Sequence, residues 1–78
     1  MTQEQIDEMY KKIGENVAKL RKERGMSQLE LSLKLNHKSV SIVASAERYY
    51  RKSHFNLEHL FKISKILEVN ICDLLQGV

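Results

Sequence analysis

A chain of 78 residues, 29% of them charged and carrying a formal net charge of +3, has room for one small core and not for several domains. It holds no proline, no tryptophan and only three glycines, a composition that favours helices over strands. The single cysteine excludes an internal disulfide, and apolar runs of a few residues exclude a membrane span. The opening residues are acidic and amide-bearing rather than basic and then apolar, so no export signal is expected and the cytoplasm is the expected compartment.

The first element starts at a capping box, with Thr2 as cap and Gln5 as its partner. Ile6, Tyr10, Ile13, Val17 and Leu20 follow at alternating spacings of four and three, an apolar stripe that predicts one helix over 3–24. That is longer than a small bundle needs. Residues 1–12 are therefore expected to extend the first helix beyond the core, or to pack on something else. Arg24 suits the negative end of the helix dipole, and Gly25 can take the left-handed conformation that stops it. Ser27 and Glu30 form a second capping box.

Leu29, Leu31, Leu33 and Leu35 alternate with polar residues, which alone would read as a strand. Leucine favours helix, and a cap precedes the run, so a second helix is predicted. Leu31 and Leu35 then share the core face. Leu29 and Leu33 share another face, expected to be part-exposed or covered by the N-terminal helix or a partner. Asn36, His37 and Lys38 form a turn, and Ser39 is expected to cap a third helix reaching about Tyr49, with Val43 and Ala46 inward. Residues 50–55 form a basic, aromatic loop in which Phe55 is expected to pack inward. Asn56 caps a fourth helix, with Leu57, Leu60, Phe61, Ser64 and Leu67 on one side and Ile63 and Ile66 widening it. Asn70 caps a short fifth helix through Leu74 and Leu75, stopped by Gly77. The predicted fold is all-α: a single domain over 1–78, with a helix-turn-helix at 28–49.

The charge is unevenly placed. Between residues 27 and 56, Lys34, Lys38, Arg48, Arg51 and Lys52 face only Glu30 and Glu47, leaving +3, while the rest of the chain balances to zero. A basic half of this kind attracts phosphates and makes binding salt-dependent.

The residues Ile13-Gly14, Leu20-Arg21-Lys22-Glu23-Arg24-Gly25-Met26-Ser27-Gln28, Glu30-Leu31, Glu47-Arg48 and Leu57-Glu58 through Leu67-Glu68-Val69 resemble the lambda-repressor-like (Cro or xenobiotic-response-element type) helix-turn-helix family over about 13–76. The resemblance implies a five-helix DNA-binding domain. It makes Gln28 a phosphate anchor that braces the recognition helix. It places Ser39, Val40, Ser41, Ile42 and Ser45 at the major groove and pairs Arg21 with Glu47 inside the fold. Val40 and Ile42 would read thymine methyl groups, and the serines would add hydrogen bonds of little base preference. Lys38, Arg48, Arg51, Lys52 and Tyr49 are expected beside phosphates. The sequence departs from the family pattern in a longer turn at Asn36–Ser39, in Tyr49 where glycine is usual, and in a longer 50–55 loop.

Other chemistry finds no support in the sequence. His37, His54, His59 and Cys72 match no zinc spacing, and Cys72 is expected to be a small core residue. No phosphate-binding glycine loop or nucleophilic motif occurs, so neither an enzyme nor a cofactor is expected. The expected function is a sequence-specific double-stranded DNA-binding transcriptional regulator of bacterial or phage type, a repressor acting as a homodimer. The dimer contact is expected at Ile71, Leu74, Leu75 and Val78 or at the N-terminal helix. Two alternatives stand beside it: an antitoxin or accessory half of a toxin–antitoxin pair, whose N-terminal helix meets the partner, and a protein-interaction module without DNA readout.

Overall fold

The structure is a computed structural model describing residues 1–78. Its elements are α1 (Gln3–Glu23), α2 (Gln28–Lys34), α3 (Ser41–Arg48), a 3-10 turn (Tyr50–Lys52), α4 (Leu57–Leu67) and α5 (Ile71–Leu74). Local chemistry sets most of these boundaries. Thr2, Ser27, Asn56 and Asn70 each accept a backbone N–H in the first turn of α1, α2, α4 and α5, and the third residue of each helix returns the bond. Each such cap contributes about 1 kcal/mol by satisfying N–H groups the helix cannot reach. Gly25 (φ 67°) ends the first helix and Asn36 (φ 67°) follows the second, both left-handed.

The start of α3 differs from expectation. Ser39 does not cap it; its hydroxyl lies 2.8 Å from that of Ser41. Val40 precedes the helix with helical backbone (φ −76°, ψ −14°) and has no side chain able to cap, so the helix begins at Ser41.

One core joins all five helices: Ile13 and Val17 of α1, Leu31 and Leu35 at α2, Val43 and Ala46 of α3, Phe55, then Leu60, Ile63 and Leu67 of α4 and Leu74 of α5. α1 and α3 meet at Gly14, whose backbone lies so near α3 that a Cβ there would sit 2.6 Å from the Glu47 carbonyl oxygen. Asn16 ties α1 to the chain's end, its amide donating to the carbonyls of Leu74 (3.0 Å) and Gln76 (2.8 Å).

Three sequence expectations change here. On α4 the inward set is Leu60, Ile63, Ser64 and Leu67, while Leu57 and Phe61 are 72% and 55% exposed. Ile63 lies nearer the centre of the buried arc, and Phe61 is turned roughly 100° away from Leu60 on the 3.6-residue period. Cys72 is exposed, because the four-residue α5 reaches the core only through Leu74. The C-terminal apolar surface shrinks accordingly: Leu74 is buried and Ile71 half-buried, leaving Leu75 and Val78 exposed.

His59 on α4 packs beside the rings of His37 (5.8 Å between centroids) and Phe55 (6.2 Å). Burial, then the neighbouring His37, holds its pKa below the usual 6.5. Protons therefore bind the unfolded chain more readily, so stability falls as pH drops from 6.5 through the lowered folded value. Urea midpoints taken at pH about 7.5 and about 5.5 are expected to show this loss, and His59→Gln to reduce it. Glutamine suits the third position of a capping box, so the α4 cap survives the change.

Candidate nucleic-acid interface

The end of α3 is held by a buried hydrogen-bonded cluster. Arg21 donates from Nε to Glu47 Oε2 (2.8 Å) and from Nη2 to Oε1 (3.1 Å). Its Nη1 donates to the Met26 carbonyl (2.8 Å), and Gln28 Nε2 donates to Glu47 Oε1 (2.9 Å). Both charged side chains are under 10% exposed. Two parallel bonds between planar groups fix orientation as well as distance. The cluster therefore locks the first helix, the start of the second and the end of the third into one rigid unit. Gln28 sits at its edge, and its second amide hydrogen remains free for an acceptor outside the protein.

In front of this unit, α3 turns its outer face to solvent. Ser41 and Ile42 are exposed and Ser45 half-exposed, with Lys38, Ser39 and Val40 exposed just before the helix. A shallow groove of about 400 Å³ runs between α3 and the following loop, lined by Ser41, Ile42, Ser45, Ala46, Lys52, Ser53 and His54. Arg48 lies at the helix end and Arg51 and Lys52 in the loop, all exposed. The Arg48 and Arg51 guanidinium carbons lie 5.6 and 5.3 Å from the centre of the exposed Tyr50 ring. Cation–π contact at that range holds both groups against one platform.

Tyr49 does not sit among these exposed cations. It is 9% exposed, its backbone is left-handed (φ 55°), and its hydroxyl donates to Asp7 Oδ1 at 2.6 Å. The carboxylate that takes this bond holds the phenol proton, raising its pKa from 10.0 to about 12. Tyr50 is the tyrosine at the surface.

Sequence reasoning missed this N-terminal contact. Residues 3–10 neither project freely nor cover α2; Leu29 and Leu33 are 49% and 56% exposed. Instead the Tyr10 ring stacks on His54 with centroids 4.0 Å apart, and Lys52 Nζ lies 4.0 Å from Asp7 Oδ1. No periodic pattern marks contacts between residues some forty positions apart.

Two helices packed across a tight turn, the second presenting an open polar-apolar face flanked by cations, define a helix-turn-helix unit. A helix-turn-helix family model matches residues 17–74, which is most of the chain. The chain belongs to the lambda-repressor-like (xenobiotic-response-element type) helix-turn-helix family, a family of DNA-binding regulators. Searches of curated proteins and of solved structures found no match. No helix is long and apolar enough to cross a membrane.

Proposed function

We propose that this protein is a sequence-specific double-stranded DNA-binding transcriptional regulator acting inside the cell, that it reads the major groove with α3, and that it binds as a two-fold dimer. The observation that carries this reading is the exposed face of α3 braced from behind by Arg21, Glu47 and Gln28. A reading helix must hold its register against base edges, and that cluster supplies the rigidity.

The chemistry of the face bears on the kind of sequence read. Val40 and Ile42 carry no hydrogen-bonding side chain and suit thymine methyl groups; Ser39, Ser41 and Ser45 discriminate weakly. Affinity then rests on phosphates, contacted by Gln28, Lys38, Arg48, Arg51 and Lys52, and on the shape of the duplex. A single α3 spans few base pairs, which favours two copies on half-sites about one helical turn apart, roughly 34 Å. Leu57 and Phe61 on α4, and Leu29 and Leu33 on α2, are exposed apolar pairs one turn apart of the kind that a second copy would cover.

Replacing Arg51 and Lys52 together by alanine is expected to weaken binding to every duplex and to lower the salt slope of log K by about 2, one unit for each phosphate contact. Titration at several salt concentrations measures this. An unchanged slope would remove the 50–52 loop from the DNA face.

A further inference from the structure

Three of the four residues from Tyr49 to Lys52 have left-handed backbone, Tyr49 (φ 55°), Arg51 (φ 51°) and Lys52 (φ 65°), and none is glycine. L-residues avoid that region because Cβ crowds the carbonyl, so such a segment persists only where its surroundings hold it. The loop's own backbone supplies two bonds, Lys52 N–H to the Tyr49 carbonyl and Ser53 N–H to that of Tyr50. The Tyr49 N–H also bonds the Ala46 carbonyl, and His54 Nδ1 lies 2.9 Å from the Lys52 carbonyl oxygen. Further support comes from the far end of α1. Asp7 Oδ1 accepts from the Tyr49 hydroxyl (2.6 Å) and from Gln3 Nε2 (3.0 Å), and Tyr10 stacks on His54 and lies 5.9 Å from the Tyr49 ring.

We infer that residues 3–10 of α1 are a latch that positions the cationic loop 49–54, with Asp7 the residue that holds it through Tyr49. The inference rests on the DNA-binding reading of that loop. It gives the N-terminal extension a role within the chain, and it explains why a carboxylate stands among cations that face phosphate. By charge alone Asp7 opposes DNA: it repels phosphates and, 4.0 Å from Lys52 Nζ, weakens the pull of that cation on them. Electrostatics alone therefore says that removing Asp7 tightens binding. The latch says the opposite, because a loosened loop must be ordered again on every binding event.

The test uses the full chain with Asp7→Ala and Asp7→Asn, binding one duplex at fixed salt and well below each variant's melting temperature. Asp7→Ala is expected to bind about tenfold more weakly, since several side chains lose their preorganisation. Asp7→Asn keeps an oxygen that accepts the Tyr49 proton and sheds the charge, and is expected to restore binding to the wild-type level or tighter. Hydrogen exchange at the amides of residues 50–54, measured without DNA, is expected to accelerate in Asp7→Ala and not in Asp7→Asn. Binding by Asp7→Ala as tight as wild type overturns the latch. Should the wild-type chain bind no duplex at low salt, the DNA reading fails by itself, and unchanged exchange in Asp7→Ala then overturns the latch separately.

Discussion

Glu47→Ala is expected to cost about 3–5 kcal/mol of folding stability, the usual consequence of removing one member of a buried ion pair. The carboxylate accepts three hydrogen bonds, two from Arg21 and one from Gln28. Without it, a guanidinium under 10% exposed keeps only the Met26 carbonyl as a partner. Charge stranded in a low-dielectric interior costs far more than the lost contact alone. At about 0.05–0.15 kcal/mol per residue a domain of this size has about 4–12 kcal/mol in total, so the variant is expected to unfold at much lower urea than wild type. Urea denaturation followed by circular dichroism measures the loss. A change under about 0.5 kcal/mol would be that of an ordinary surface substitution and would deny the cluster its bracing role.

Gly14→Ala is expected to be the second costly change, and its sign is informative. In an exposed helix interior the substitution would stabilise by about 1 kcal/mol through helix propensity. Here the new Cβ meets the Glu47 carbonyl oxygen at 2.6 Å and the Ala46 carbonyl oxygen at 2.7 Å. Both obstacles are backbone of α3, which cannot swing aside like a flexible side chain. α1 and α3 must separate, and overpacking of this kind costs about 1–3 kcal/mol or more. Net destabilisation is therefore expected despite the better propensity, with Gly14→Val worse than Gly14→Ala. The same separation would shift the base of α3 relative to Arg21, so DNA affinity is expected to fall along with the thermal midpoint. A stabilised Gly14→Ala would mean that α1 and α3 do not approach this closely.

The parts of the fold legible in the sequence were those written locally. Four caps were readable because a Thr, Ser or Asn stands at the head of each helix with a hydrogen-bonding residue three positions on. The left-handed turns at Gly25 and Asn36 followed from residue types that tolerate them. Family resemblance, not periodicity, matched Arg21 to Glu47, since nothing local links residues 26 positions apart. The misreadings have physical causes. Ser39 looked like a cap, but the turn continues one residue further, through Val40, and α3 starts without a side-chain cap. Phe61 looked like core by its spacing with Leu57, Leu60, Ser64 and Leu67, but the rotation of α4 is set by what packs beneath it, and Ile63 takes the buried position. Tyr49 looked like a surface hydroxyl because its partner, Asp7, lies in a segment that seemed spare.

The scaffold behind α3 is specified by buried groups, whereas the face in front of it is small, apolar and weakly discriminating. On the proposed DNA reading, phosphates supply affinity, while selection comes from thymine methyl groups, duplex shape and the spacing of two half-sites rather than from one strong base pairing. Selection of duplexes from a random pool by the 78-residue chain, at low salt, tests the central claim most directly. The account predicts enrichment of a two-fold symmetric sequence with thymine-containing half-sites about one helical turn apart. Recovery of the pool without enrichment would contradict it.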